Sequence, residues 1–304
     1  MGKLAFPRVK KKLHQKVVAL EKPYRVIGGG GFSLGKWPTN DTGGLEGNAE
    51  TDKLLAHGVH LMSDLQERLY ADDKWAVLLV FQAMDAAGKD GTIKHVMSGI
   101  NPAGCQVTSF KQPSQLELDH DYLWRAGLAL PQRGRIGIFN RSYYEETLVA
   151  RVHREVLKAE KIPAPLTRKR LWKERFADIR AFERHLARNG TIVLKFFLHL
   201  SKAEQKKRFL ARLDEPAKNW KFSAADLKER ERWDDYQDAY EEMIGATATP
   251  HAPWYIVPAD NKWFAHLVVA GAVVKALDRL DLQFPKITRE QRDALVKARR
   301  KLEG

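Results

Sequence analysis

The sequence predicts an α/β fold in which a five-stranded parallel sheet lies between two layers of helices. Two observations predict it: short, almost wholly apolar runs, and charged helical patterns between them. The runs are too continuous for strands with one face in water and too short for buried helices, so we expect strands buried on both faces. Such strands alternating with helices are typical of parallel sheets covered on both sides.

The predicted elements follow one another without an internal repeat or an evident linker. Leucines at helical spacing over residues 49–70 predict an amphipathic helix ahead of the first strand. The predicted strands cover residues 75–81, 106–110, 136–139, 191–200 and 254–257. The predicted helices between and after them cover residues 86–99, 116–129, 142–158, 168–188, 202–214, 223–244, 261–280 and 288–302. We therefore predict one domain over residues 49–285, an N-terminal arm over 1–48 and a basic C-terminal helix over 286–304.

The composition of the chain limits the class of binding partner and the cellular compartment that we expect. The 304-residue chain has a formal net charge of +14, which favours a polyanionic partner; nucleic acid, an acidic membrane surface and a phosphate polymer fit equally. No apolar run approaches the roughly 18 residues of a membrane span, and the basic N-terminus lacks the apolar segment of a signal peptide. The single cysteine, Cys105, allows no intramolecular disulfide, so we expect a cytoplasmic protein.

Two glycine-containing segments are candidates for a phosphate cradle. The four glycines at residues 28–31 are interpreted as a flexible loop, because no strand pattern precedes them and no helix pattern follows directly. Residues 79–93, in contrast, indicate a buried strand, a turn of small residues, Gly88-Lys89 and a helix. Small residues let backbone N–H groups face a phosphate, the helix N-terminus adds partial positive charge, and the lysine reaches the terminal phosphates. This is the Walker A arrangement (P-loop), and it makes Lys89 a predicted catalytic residue.

The predicted phosphate loop departs from the usual Walker A letters at two positions. Ala83 stands at the first glycine position, and Asp90 stands where a magnesium-ligating Ser or Thr is expected. Mg²⁺ prefers oxygen ligands and commonly shares one or two carboxylates with substrate phosphates, so we predict Asp85, Asp90 and Glu145 as metal ligands. The loop residues predicted to bind phosphate or nucleotide are Ala86, Ala87, Gly88, Asp90, Gly91 and Thr92.

Several motifs spread over about residues 50–280 resemble those of the family-2 polyphosphate kinases. They are Ala-Met-Asp-Ala-Ala-Gly-Lys-Asp-Gly-Thr-Ile from Ala83, Phe-Lys-Gln-Pro from Phe110, His-Asp-Tyr-Leu-Trp-Arg from His120, Ile-Phe-Asn-Arg-Ser-Tyr-Tyr-Glu-Glu from Ile138, and segments 206–221, 252–254 and 258–263. The resemblance implies a P-loop kinase-like three-layer fold with a helical lid. It also implies Mg²⁺-dependent phosphoryl transfer between polyphosphate and a nucleoside mono- or diphosphate, and assembly as a homo-oligomer.

The end of the third predicted strand carries the next candidates. Asn140 and Arg141 follow that strand, and ligands bind at the carboxyl ends of the strands in open parallel sheets. By the resemblance, Asn140, a predicted nucleotide-binding residue, stands at the Walker B position, where many members carry Asp. Asn cannot give magnesium a full negative charge, so that charge is expected from Asp85 or Glu145. Arg141 suits transferring phosphates because its planar fork gives paired hydrogen bonds. Asp85, Arg141 and Glu145 are therefore predicted to be catalytic.

Residues 202–221 are the predicted lid. Arg208 and Arg212 share one face of a helical pattern, and basic residues continue beyond it. A mobile basic lid would neutralise charge on the transferring phosphate and exclude water. We predict Arg208 to be catalytic. The residues predicted to bind polyphosphate are Lys207, Arg212, Lys218 and Lys221 in the lid, and Lys111, Arg125 and Arg133 along the polymer path.

These features predict a Mg²⁺-dependent phosphotransferase that moves phosphate between inorganic polyphosphate and AMP, ADP or ATP. A conventional ATP-dependent kinase of a nucleotide or another small acceptor shares the P-loop and the lid, but it gives no reason for a charge of +14. A non-enzymatic nucleic-acid- or polyanion-binding protein would explain the charge but neither the P-loop nor the lid. We therefore expect neither a membrane nor a nucleic-acid partner.

Overall fold

The structure of the protein, a computed structural model, describes residues 8–304 and the side chains of residues 11–304. A six-stranded sheet lies between two layers of helices, which confirms the predicted three-layer α/β architecture. The strands are β1 (Arg25–Val26), β2 (Ala76–Gln82), β3 (Cys105–Ser109), β4 (Ile136–Asn140), β5 (Thr191–His199) and β6 (Trp254–Pro258). The helices are α1 (Arg8–Ala19), α2 (Ala49–Asp72), α3 (Lys89–Val96), α4 (Gln115–Leu118), α5 (Trp124–Leu128), α6 (Glu145–Val152), α7 (Arg154–Ala159), α8 (Leu171–Arg188), α9 (Lys202–Asp214), α10 (Ala224–Glu231), α11 (Trp233–Thr247), α12 (Lys262–Asp278) and α13 (Arg289–Glu303).

The sheet has the strand order β1-β6-β5-β2-β4-β3. All pairs among β2 to β6 are parallel, as predicted, and β1 runs antiparallel along β6. The prediction of five strands was wrong because it lacked the edge strand β1, whose two residues are too few to show a strand pattern. The chain leaves β2 for β3 on one side of the sheet and later returns to β5 on the other. Connections that diverge in this way open a crevice at the carboxyl ends of the strands, where ligands bind in open α/β sheets.

β2 forms the centre of the core, and all seven of its residues are buried. Its side chains alternate between the two faces of the sheet, as strand geometry requires. Val77, Leu79 and Phe81 pack with α2, α3 and α12 in one hydrophobic cluster. Leu78 and Val80 pack with α6, α8 and α11 in a second cluster. Burial on both faces explains why the sequence of β2 is apolar throughout.

Three predicted helices are interrupted in the structure. The interrupted segments are 116–129 (α4 and α5), 142–158 (α6 and α7) and 223–244 (α10 and α11). At the second break, α6 ends at Val152; the backbone of the next residue, His153, is extended (φ −115°, ψ 94°), and its Nε2 atom lies 2.8 Å from Glu229. The predicted helix over 86–99 is shorter, because α3 begins only at Lys89, after the loop that follows β2.

The described part of the predicted arm lies against the rest of the chain. α1 packs on α2 and α12, with Val17 buried beside Gly58. The four-glycine run forms a loop in which Gly29 lies so close to Gly245 that a Cβ atom at residue 29 would overlap the carbonyl oxygen of Gly245. Only glycine therefore fits at residue 29. The division of the chain at residue 48 stays a prediction.

The helix α12 is apolar on all sides because the sheet covers one side and α1 and α2 cover the other. Twelve of its 17 residues are buried. No helix within residues 8–304 is long and apolar enough to cross a membrane. The N-terminus of α12 nevertheless matters for the site, because it follows β6 directly at the carboxyl edge of the sheet.

Candidate active site

Residues 83–88 form the loop between β2 and α3 that the sequence predicts to bind phosphate. Two of its residues have left-handed backbone conformations, Ala86 (φ 61°) and Gly88 (φ 100°). The Lys89 side chain folds back over the loop and donates a hydrogen bond from Nζ to the Ala83 carbonyl oxygen, 2.9 Å away. A phosphate that enters the loop would replace this carbonyl oxygen as the acceptor for Lys89.

Arg141 stands beside Lys89, directly after β4. Its backbone is left-handed (φ 64°), a conformation that costs a residue with a side chain about 1–3 kcal/mol. Its guanidinium lies between two carboxylates, with closest N–O distances of 3.2 Å to Asp85 and 3.8 Å to Glu145. Burial, and next the charge of Arg141, lower the pKa of Lys89, whereas the neighbouring carboxylates raise it. Carboxylates thus hold an arginine and a lysine together despite their like charge.

Asp90, which departs from the Walker A pattern, and Asn140, which departs from the Walker B pattern, contact each other. Asn140 donates a hydrogen bond from Nδ2 to Oδ1 of Asp90, with a distance of 2.6 Å. In the usual arrangement the loop supplies a hydroxyl and the strand end supplies a carboxylate. Here the strand end supplies the donor and the loop supplies the carboxylate. Thr92, the nearest hydroxyl in the sequence, is only 2% exposed and lies below the surface of the crevice.

The structure does not assemble the three predicted metal ligands, Asp85, Asp90 and Glu145, into one cluster. In the part of the chain that the structure describes, no group of three or more His, Cys, Asp or Glu side chains could hold a metal ion. Arg141 separates Asp85 from Glu145, and Asn140 holds Asp90. Mg²⁺, however, commonly takes only one or two protein carboxylates and completes its shell with phosphate and water oxygens. Asp85 and Asp90 line the crevice and fit that role for an ion that arrives with phosphate.

Glu145 lies beneath the two cations. Its side chain is 15% exposed, and burial raises its pKa while Arg141 and then Lys89 lower it. The carboxylate therefore supports the position of Arg141 and is a poor candidate for a ligand reached from the crevice.

Arg208, on α9, joins two loops of the site through its guanidinium. Nη1 donates to the carbonyl oxygens of Ala86 and Ala87, at 3.1 and 2.9 Å. Nη2 donates to the carbonyl oxygens of Ala259 and Asp260, at 2.6 and 3.1 Å. Nε is held by a glutamate of the same helix. Because its donors are used within the protein, we interpret Arg208 as a positioning residue for the phosphate loop, although the sequence predicts it to be catalytic.

A crevice of about 710 Å³ brings most of the predicted residues together at the carboxyl ends of the strands. The predicted residues that line it are Asp85, Ala86, Ala87, Gly88, Lys89, Asp90, Gly91, Lys111, Asn140, Arg141, Arg208, Arg212, Lys218 and Lys221. Together with Lys262, eight lysine and arginine side chains line the crevice, against two carboxylates. A concave surface with charge of one sign focuses the electric field, so the crevice favours a polyanion.

Three residues predicted to bind polyphosphate lie outside the crevice. Arg125 is buried and donates to the Lys111 carbonyl oxygen at 2.8 Å and to a buried glutamate at 3.0 Å, so it supports the segment that carries Lys111. Arg133 precedes β4 and donates to a carbonyl oxygen just before β2, so it lies at the amino ends of the strands. Lys207 lies on the exposed face of α9, beside Glu204.

Three ionisable residues that line the crevice were not predicted: Lys262 and His266 on α12, and His95 on α3. The first turn of α12 follows β6, just as Lys89 follows β2. The strand-loop-helix rule that identified Lys89 would therefore also have identified Lys262. The two histidines gave no such signal, because their position depends on how α3 packs against α12.

A larger cavity, of about 790 Å³, lies elsewhere, among residues 23–41 and the side of β6. Its lining includes Ile256 and Pro258 but none of the residues of the phosphate loop. The larger volume therefore does not mark the chemistry of the protein, whereas the smaller crevice holds the phosphate loop and the excess of cations.

Comparison with known proteins gives consistent matches over most of the chain. A family model described as Polyphosphate kinase 2 matches residues 45–285. The chain is 54% identical to an ADP-polyphosphate phosphotransferase of Rhodopseudomonas palustris over 282 residues, which cover 92% of this chain and 98% of that protein. It is 45% identical to an AMP/ADP-polyphosphate phosphotransferase of Meiothermus ruber, over 87% of this chain and 96% of that one. It is also similar to the crystal structure of a polyphosphate kinase 2 from Arthrobacter aurescens, with a TM-score of 0.82 and 40% identity over 91% and 96% of the two chains.

Proposed function

Since the chain belongs to the polyphosphate kinase 2 family, and therefore transfers phosphate between inorganic polyphosphate and nucleotides, we propose that this transfer takes place in the crevice at the phosphate loop. The observation that supports the proposal most is the combination of that loop with eight cationic side chains and only two carboxylates. A nucleotide, with two or three phosphates, engages a short part of such a surface. A phosphate polymer can engage all of it.

Catalysis in this proposal depends on positioning and on charge stabilisation. The transition state of phosphoryl transfer is loose, its charge is spread over the equatorial oxygens, and little covalent chemistry is left to the protein. Lys89 exchanges the Ala83 carbonyl oxygen for a phosphate oxygen. Arg141 approaches the same phosphate from the end of β4. Since Asp85 and Glu145 already hold Arg141, its charge needs no reorganisation when negative charge develops.

We assign Asp85 and Asp90 as the protein ligands of Mg²⁺, the divalent metal expected for this class of kinase. When bound, the ion would neutralise charge on the phosphate oxygens and orient them for in-line transfer. Asp90 is held for this purpose by Asn140. The assignment leaves Glu145, the third predicted ligand, as a support for Arg141.

The lid in this proposal is α9 with the following turn of 3₁₀-helix, Pro216–Lys221. Arg212 joins these elements, because it donates to the Lys221 carbonyl oxygen and pairs with Asp226 of α10, both at 3.3 Å. The lid cations therefore move together. Arg208 connects their helix to the phosphate loop, so closure of the lid over polyphosphate would also position that loop.

A transfer assay tests the proposed function. Purified protein is incubated with Mg²⁺, long-chain polyphosphate, and AMP, ADP or ATP one at a time, and the nucleotides are separated by chromatography. We expect formation of the next higher nucleotide from AMP or ADP, and of ADP from ATP, that depends on polyphosphate and is strongly reduced in a Lys89→Met control. Phosphorylation of a small acceptor by ATP, with no transfer from polyphosphate, would instead support the conventional kinase. Assembly as a homo-oligomer stays a prediction.

A further inference from the structure

The side of the crevice formed by α12 contains a mostly buried histidine. His266, in the second turn of α12, lines the crevice although only 8% of it is exposed. Because the ring is mostly buried yet lines the crevice, it can donate a hydrogen bond to a ligand bound there.

The groups around this ring are basic. His95 of α3 stacks on His266, with ring centroids 4.6 Å apart and an angle of 25° between the ring planes. Lys262 lies one turn before His266 on α12 and lines the same crevice. The charged groups of neighbouring elements that act on Lys262 are Arg208, Lys218, Arg212 and Glu204. With one carboxylate against several cations, the surroundings suit an anionic ligand that accepts hydrogen bonds.

We propose that His266, His95 and Lys262 form a phosphate subsite, which binds a unit of polyphosphate beyond the units held at the phosphate loop. The proposal rests on the proposed function. His95 follows Lys89 by six residues on α3, which is about 9 Å along the helix axis, so a chain that leaves the loop along α3 passes both rings. Each imidazole offers an N–H donor to a phosphate oxygen, and the lysine adds a point charge.

Binding at this subsite is coupled to proton uptake. Burial, and then the charges of His95 and Lys262, lower the pKa of His266 to about 4, so its ring is neutral in the free protein at neutral pH. Phosphate charges beside the ring favour its protonated form and raise that pKa. The affinity for polyphosphate must then rise as the pH falls through the pKa of the bound state, because the bound protein holds more protons than the free protein.

The test measures KM for long-chain polyphosphate and KM for ADP, at about pH 6 and about pH 8, on either side of the usual pKa of histidine. The variants are His266→Gln and His95→Gln, and the control is His185→Gln, which replaces an exposed histidine in the last turn of α8. Glutamine keeps an N–H donor but cannot take up the proton. We expect His266→Gln to raise KM for polyphosphate about tenfold at the lower pH, because a neutral donor replaces the protonated imidazole in its hydrogen bond to phosphate. Its KM for polyphosphate should also depend less on pH, while KM for ADP changes by less than about twofold.

The outcomes separate the subsite from the proposed function. A wild-type protein without polyphosphate-dependent transfer would contradict the proposed function itself. With transfer intact, an unchanged KM and pH profile for polyphosphate in both histidine variants would refute the subsite alone. Equal increases in KM for polyphosphate and for ADP would assign the site to nucleotide phosphates, which also overturns the proposal. If His266→Gln lowers the melting temperature, His95→Gln and Lys262→Met provide the test, because both of these side chains are exposed and their replacement disturbs the fold less.

Discussion

Exchange of the residues at positions 90 and 140 tests whether the site needs one carboxylate in this pair. In Asp90→Asn the pair keeps a hydrogen bond but loses its charge. In the double variant Asp90→Asn/Asn140→Asp the amide and the carboxylate are both present again, with their places exchanged across the same 2.6 Å contact. We expect the single replacement to lose most of the activity and the double variant to recover much of it.

The size of the effect follows from the contact. A hydrogen bond to a charged group contributes about 1.5–3 kcal/mol and one between neutral groups about 0.5–1.5 kcal/mol, so loss of the charge in Asp90→Asn should lower kcat/KM about tenfold. Asn140→Asp alone places two carboxyl groups side by side; two unit charges about 4 Å apart repel each other by about 1 kcal/mol in water and about 4 kcal/mol at an effective dielectric constant of about 20. Neighbouring residues couple by about 0.5–3 kcal/mol in double-mutant cycles, and we expect about 2 kcal/mol in favour of the exchanged pair.

The assay is kcat/KM with polyphosphate and ADP for the wild type, the two single variants and the double variant. Melting temperatures show whether each protein is folded, and a Mg²⁺ titration separates weaker metal binding from slower turnover. If the losses of the two single variants simply multiply in the double variant, the coupling is zero. In that case the carboxylate is needed at residue 90 itself, and the idea that either residue of the pair can carry it is refuted.

Three further predictions concern the phosphate loop, the lid and the polymer path. Lys89→Met should lower kcat about 10²- to 10³-fold, as for other lost donors to a developing charge, with little change in melting temperature because its Nζ makes one hydrogen bond within the protein; near-normal turnover would contradict the loop assignment. Arg208→Lys should lower both the melting temperature and, about tenfold, kcat/KM, because lysine cannot bridge four carbonyl oxygens; a change confined to KM for polyphosphate would contradict a positioning role. Arg212→Gln should raise KM for polyphosphate and flatten its salt dependence between about 50 and 200 mM. Arg133→Gln, at the other end of the strands, should change neither KM for polyphosphate nor its salt dependence. Equal effects of Arg212→Gln and Arg133→Gln would contradict a polymer path through the crevice.

The strands could be predicted because burial in the sheet requires a sequence pattern that can be recognised without the structure. β2, β4, β5 and β6 are almost wholly buried, so each appears as a continuous apolar run. The ends of the helices have no comparable sequence pattern. The helical pattern continues through His153, and the break there coincides with a contact to Glu229, a residue 76 positions away. β1 escaped prediction because its two residues become a strand only by pairing with β6.

The site was predictable where position along a strand carried the information. Lys89 and Asn140 follow β2 and end β4, so strand direction alone places them at one edge of the sheet. Arg133 precedes β4, and the same rule would have excluded it from that edge. Arg125 shows the limit of charge as evidence, since its guanidinium is buried and holds the Lys111 carbonyl oxygen. A sequence shows that a residue is charged, but the packing decides whether that charge meets a ligand or supports a loop.

The cations of the crevice fall into two groups that differ in what holds them. Arg141 and Arg208 are fixed by carboxylate and carbonyl oxygens. Lys111, Lys221 and Lys262 also line the crevice, and Nζ of Lys221 lies 5.0 Å from the centroid of the Trp220 ring. Fixed charges stabilise a transition state without reorganisation, whereas lysines on flexible stems can follow a polymer. Replacement of a fixed arginine should therefore lower kcat, and replacement of one of these three lysines by methionine should raise KM more for long than for short polyphosphate. A loss of kcat without a change of KM in the lysine variants would mean that both groups act on the transferring phosphate.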